Sequence, residues 1–228
     1  MKKREISETT INKSISACLL NAERLIEDAQ TLEFEKPPSS KYYFAIISQE
    51  ESAKAFLLYL VKVKIIPWNE FILRAMNSHI CKQLVGIVID YLEPDFDTFV
   101  IWCNNKTPVT KKVKDAINIL RNEIIKKWES NNWIWADDYK YDSDAKKVFN
   151  KKFDKLKQRS LYVAIGEQAE IISTPRITTE ENAQKEFDKA KRFLSFGKSI
   201  SKGEKNHFRD YEIIEEGFRK LFSDIKTK

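Results

Sequence analysis

The chain of 228 residues holds only five glycines (Gly86, Gly166, Gly197, Gly203 and Gly217), and no two stand closer than six positions apart. Neither the G-x-G-x-x-G dinucleotide loop nor the G-x4-G-K-[ST] phosphate loop can be written from them. The three cysteines, Cys18, Cys81 and Cys103, form no C-x-x-C pair, which excludes zinc ribbons and thioredoxin-like redox sites. The longest apolar run, residues 55–61, is seven residues long, against the ~20 needed to cross a bilayer. Lys2, Lys3 and Arg4 resemble a basic leader, but Glu5, Glu8, Asn12 and Lys13 follow where a secretory signal needs an apolar stretch. With three scattered cysteines, these features predict a reduced, cytosolic protein with no membrane attachment.

What the chain does have is apolar content, at 42%, and aromatic content, at 12%. That suffices for a sizeable core, and the scarcity of glycine favours long helices with few tight turns. Apolar residues recur every three or four positions over 10–34, 41–64, 70–92, 110–129, 144–158, 178–196 and 208–225. This spacing predicts an all-α fold, a helical bundle of about seven helices. Ser39 or Ser40 is the expected cap of the second helix and Asn69 of the third. Thr178 and Glu181 form the expected capping box of the sixth. Residues 130–142 lack a helical period and read as an irregular connection, residues 159–165 as extended or turn-like, and residues 197–206 as a polar hinge.

The net charge of +6 is unevenly spread. Positions 106–127 carry seven basic residues against two acidic ones, and positions 146–159 carry seven against Asp154 alone. Between them, positions 128–145 carry five carboxylates against Lys140. Lys111, Lys112, Lys151, Lys152 and Arg159 are therefore candidate contacts to a polyanion such as RNA. Ordinary solvated helix faces are the alternative.

The second helix puts charge in an apolar stripe. At about 100° per residue, Glu50, Glu51 and Lys54 share a side with Ile47, Leu57, Leu58 and Val61, while Ser48, Gln49 and Ser52 lie opposite. A buried charge must be paired or face a wet cleft, and an exposed i,i+4 pair contributes only roughly 0.2–0.5 kcal/mol. The third helix offers a complement. His79 and Lys82, about 60° apart, share a face with Ala75 and Gly86, away from the Leu73, Ile80 and Leu84 stripe. Glu50, Glu51, Lys54, His79 and Lys82 thus form a candidate catalytic constellation. Carboxylate, imidazole and amine together can move a proton and stabilise phosphate charge. Its alternative is a helix edge whose charged heads reach water. His207 falls in the polar hinge.

Several fragments, in order, carry a resemblance. They are Ala22-x-x-Leu25, Tyr43-Phe44-Ala45-Ile46-Ile47 leading to Gln49-Glu50-Glu51-x-x-Lys54, His79-x-x-Lys82, Lys157-x-Arg159-x-Leu161-Tyr162-Val163, and Thr174-Pro175 before a capped helix. Over roughly residues 10–196 the set resembles the AbiV family of abortive-infection proteins, in the HEPN superfamily. The resemblance implies a HEPN-like helical domain over 1–196, with 197–228 as hinge and C-terminal helix packed on it. It implies anti-phage defence through RNA or the translation machinery, with no cofactor and no metal. It further implies a homodimer, an RNA or ribosome-associated target and a phage-encoded protein as trigger. Many HEPN domains are metal-independent ribonucleases using R-x4-6-H, which Arg74-x4-His79 matches. On a straight helix those two side chains point about 140° apart, so one cleft holds both only if the helix bends or a second chain supplies one. Three readings stay open: a metal-independent endoribonuclease, a non-enzymatic binder of RNA, ribosome or phage protein, and an antitoxin or scaffold module.

Overall fold

The computed structural model describes residues 6–92, 143–149 and 152–202. Among them the fold is all-α, with seven helices and one small hairpin. The helices are α1 (Glu8–Thr31), α2 (Ser39–Lys62), α3 (Glu70–Asn77), α4 (His79–Leu92), α5 (Ser143–Phe149), α6 (Lys152–Arg159) and α7 (Glu180–Lys202). The hairpin pairs β1 (Ala164–Ile165) with β2 (Ile171–Ser173), antiparallel. The expected helices 110–129 and 208–225, the irregular 130–142 segment, and Lys111, Lys112 and Lys151 lie outside the described residues. No helix of the described residues is long and apolar enough to cross a membrane.

α2 is the central rod. It packs against α1, α7 and α4, and Ala53, Ala55, Phe56, Leu57, Tyr59 and Leu60 are almost fully buried. Burying one such large side chain contributes roughly 1.5–3 kcal/mol, so a helix wrapped on three sides becomes the core by itself. This placement overturns the expected polar side. Ser48 and Ser52 are buried, and Ser48 Oγ donates to the Ala22 carbonyl at 2.8 Å, tying α2 to α1. Lys41 is 2% exposed and donates to Gln184 Oε1 at 2.7 Å. Its ammonium lies 5.1 Å from the Phe187 ring centroid, which joins α2 to α7.

Several boundaries differ from expectation. The helix expected over 70–92 is two helices, because Ser78 ends α3 and caps α4. The Cys81 amide donates to Ser78 Oγ at 3.4 Å and the Lys82 amide to the Ser78 carbonyl at 3.0 Å. The break turns Leu73 out to solvent. Asn69 caps α3 as expected, accepting from the Ile72 amide at 3.0 Å. Within the helix expected over 144–158, the described residues form α5 and α6, and Leu156 is exposed. α2 starts at Ser39 behind Pro38, with no side-chain cap. At α7 the cap is Thr179, not Thr178, since Thr179 Oγ1 accepts from the Asn182 amide at 3.2 Å. The reason is Pro175, which opens a 3-10 turn ending at Ile177 and leaves Thr178 extended.

The stretch read as a hinge at 197 is helical to Lys202. Gly197 is there for contact. A Cβ at this position would sit 2.8 Å from Leu19 Cδ2 on α1. Leu19 is itself buried, so its methyl cannot swing into solvent. Gly197→Val should therefore lower stability by about 1–3 kcal/mol, as overpacked sites do, read from the urea midpoint.

Candidate functional site

Glu50 lies on the side of α2 that faces α4 and α6. Its side chain is 2% exposed. Three basic groups converge on the carboxylate. His79 Nδ1 meets Oε2 at 2.6 Å, Lys82 Nζ meets Oε2 at 3.0 Å, and Lys157 Nζ meets Oε1 at 2.9 Å. Gln83 Nε2 stands 3.4 Å from Oε1. Three elements contribute: α2 the carboxylate, α4 the imidazole and one amine, α6 the second amine. Each sits where local sequence puts it. The Ser78 break makes His79 the first residue of α4. Lys82 follows one turn on, and Lys157 lies one turn beyond Phe153, which packs partly buried against the core.

Burial by itself would raise the Glu50 carboxyl. The ammonium groups of Lys82 and Lys157 overturn that and hold it below its ordinary 4.5. The carboxylate is therefore ionised at neutral pH and can only accept. That assigns the imidazole. At 2.6 Å from an ionised oxygen, Nδ1 must carry the proton. Lys157 Nζ, 3.0 Å from the same Nδ1, then donates to Glu50 Oε1 and forms an ion pair with Asp154 Oδ1, 3.2 Å away. In the neutral ring the lone pair sits on Nε2. The His79 side chain is 53% exposed while its anchor is buried. The arrangement is an imidazole fixed at one edge by a carboxylate and open at the other.

A pH dependence follows. Because the Glu50 pKa is lower folded than unfolded, the cluster contributes stability fully above the unfolded value. That contribution is lost as pH falls from there through the folded value. Urea unfolding of the wild type and Glu50→Gln should show a gap at pH 7 that narrows steadily below about pH 4.5. A gap unchanged down to pH 3 would contradict the assignment.

A small cavity of about 50 Å³ adjoins the carboxylate, lined by Gln49, Lys82, Gln83, Phe153 and Glu186 among others. It has room for water, and Gln83 Oε1 is buried without a protein hydrogen-bond partner. Among the described residues no three His, Cys, Asp or Glu side chains are grouped as a metal site.

The structure brings together Glu50, His79 and Lys82 and leaves out the rest of the expected constellation. Glu51 and Lys54 pair with each other, at 2.5 Å. They lie beside Cys18 of α1, whose thiol is pushed up by burial and by Glu51 and is opposed by Lys54. A step of about 100° along α2 from Glu50 turns Glu51 to the α1 side, and Lys54, three residues on, pairs with it. Arg74 is on α3, before the Ser78 break, so the two halves of Arg74-x4-His79 are not on one straight helix. Lys152 is exposed on α6, and Arg159 is half-buried at its C-terminal end. The residue that sequence reasoning missed is Lys157. Its signal was the Phe153-x-x-x-Lys157 spacing, which places an amine on an apolar stripe.

A family model described as AbiV matches residues 10–195 of this chain. No curated protein matches it, and no solved structure does.

Proposed function

We propose, from the premise that this chain belongs to the AbiV family of abortive-infection defence proteins in the HEPN superfamily, that it acts on RNA as a metal-independent endoribonuclease with His79 as its base. The observation that carries the reading is the buried Glu50 carboxylate 2.6 Å from Nδ1 of a half-exposed imidazole. A carboxylate on Nδ1 fixes the tautomer and leaves the lone pair on Nε2, the atom that a general base uses.

In this reading Nε2 takes the proton of a ribose 2′-hydroxyl. The 2′-oxygen then forms a bond to the adjacent phosphorus, and the bond to the 5′-oxygen breaks. The departing oxygen takes its proton from water. The products are a 2′,3′-cyclic phosphate and a 5′-hydroxyl. Lys82 and Lys157 hold Glu50 ionised, so they act through it as positioning residues. The imidazolium formed on Nε2 is stabilised by the carboxylate behind it.

One observation favours a second reading. Both lysine ammonium groups are buried, at 7% and 5% exposure, and are engaged with carboxylates. A cluster so internally satisfied can also serve as a clasp that holds α6 to α2 and α4 in a non-enzymatic RNA-binding protein. The two readings separate in one experiment. The purified full chain is incubated with total RNA in EDTA, with and without extract of phage-infected cells. Cleavage with cyclic-phosphate ends that disappears in His79→Ala is the expected result. Binding that weakens steeply with salt and is never followed by cleavage would leave the clasp.

A further inference from the structure

We propose that the cavity beside Glu50 is a base-recognition subsite in which Gln83 and Lys189 select adenine or cytosine. The inference rests on the reading of His79 as the base that cleaves RNA, and it names which nucleotide that site prefers. Apolar walls from Ile46, Ile87 and Phe153 face a polar side that includes Gln83, Glu186 and Lys189. Such a mixed lining suits a group that is flat and apolar on its faces and polar at its edge.

Most of the polar side is engaged within the protein. Lys82 meets Glu50 at 3.0 Å. Gln49 Nε2 donates to the Glu186 carbonyl at 3.0 Å and to Glu186 Oε2 at 2.9 Å. Lys189 meets Asp90 at 3.2 Å. Gln83 differs. Its Nε2 faces Glu50 Oε1 at 3.4 Å. Glu50 is held ionised by the two lysines and only accepts. The amide therefore cannot be turned over, since that would set its oxygen against the carboxylate. Gln83 Oε1 is fixed as an acceptor, and it is buried with no hydrogen-bond partner among the described residues. A buried acceptor left unpaired is costly and marks a place where a donor belongs.

Position and chemistry decide which donor. Gln83 lies one turn from His79 on α4, about 40° round the helix and about 6 Å along it, and both side chains meet Glu50. A ribose whose 2′-hydroxyl reaches His79 Nε2 thus brings its own base to the cavity. At about 50 Å³ the cavity admits the edge of a base. On the Watson–Crick edge, adenine and cytosine offer an amino group beside a bare ring nitrogen, whereas guanine and uracil offer a carbonyl beside a ring N–H. Gln83 Oε1 accepts from the amino group and would meet a carbonyl lone pair to lone pair. Lys189 carries three N–H donors and, while held by Asp90, can also donate to the bare ring nitrogen. A ring N–H would face that ammonium instead, and the Glu186 carboxylate that might accept from it is already taken by Gln49.

The test is binding of trinucleotides of one base each, with 2′-fluorine in place of the 2′-hydroxyl, to the full chain. They cannot be cleaved, so the readout does not need His79 to act. The adenine and cytosine trinucleotides should bind about tenfold or more tighter than those of uracil and guanine, the effect of a buried polar group paired against one left unpaired. Gln83→Met keeps the side-chain length and removes the acceptor, and it should bring the four to similar affinity. His79→Ala should keep the preference. Equal binding of all four by the wild type, tighter binding of uracil or guanine, or a preference that survives Gln83→Met would each overturn the proposal. A base preference without cleavage of any RNA would support the subsite and overturn the ribonuclease reading. Cleavage without a base preference would do the reverse.

Discussion

Glu50→Ala should destabilise the protein by about 3–5 kcal/mol, the effect of removing one partner from a buried ionic cluster. The reason is the two ammonium groups left behind. Lys82 and Lys157 are nearly as buried as Glu50 itself. Against a typical domain stability of about 5–15 kcal/mol, this is enough to unfold a large part of the population on mild heating. The control is Glu50→Leu/Lys82→Met/Lys157→Met. Replacing all three charges with apolar groups of similar volume is commonly neutral or stabilising, so this triple variant should unfold within about 1 kcal/mol of wild type or later. A triple variant as unstable as Glu50→Ala would mean that packing, not charge, is what Glu50 supplies. A triple variant that is stable but inactive shows that the cluster is kept for something other than the fold.

His79→Ala should do the opposite. The side chain is half exposed, and its removal leaves Glu50 with both lysines, so stability should fall by about 1 kcal/mol at most, the value of one hydrogen bond. Cleavage of RNA, in contrast, should fall about 10²–10⁴-fold, the range that a positioned acid or base contributes. The separation of the two effects is the point. If His79→Ala unfolds the protein as readily as Glu50→Ala, the imidazole is part of the clasp. If it keeps both stability and cleavage, the base is elsewhere.

The amphipathic spacing was enough to find α1 and α2, and it also flagged α2 as the helix with misplaced charge. Among those charges Glu50 meets His79 and Lys82, while Glu51 and Lys54 pair with each other. One turn of sequence cannot tell which neighbour lies at which angle, and α1 occupies the side to which Glu51 points. His79 and Lys82 were legible because they stand off the apolar stripe of their helix. Lys157 was not, because it is one of seven basic residues in fourteen and belongs to the site only through a contact across 107 positions of chain. The Ser78 break was hidden because apolar residues recur at helical spacing on both sides of it. The first strand fell in the stretch read as extended or turn-like, 159–165, but the second strand and the pairing were not legible because the bulge removes the alternation by which strands are recognised. Gly197 read as a hinge because a helical glycine looks the same in sequence whether it loosens the chain or admits a neighbour.

The Glu50 carboxylate dictates which ring nitrogen of His79 carries the proton. Nitrogen-15 magnetic resonance reads this directly. The chain has two histidines, so His207→Ala leaves a single imidazole to observe. At a pH where the ring is neutral, the expected spectrum shows Nδ1 protonated and Nε2 bare. A ring protonated at Nε2, the ordinary tautomer of a free imidazole, would contradict it.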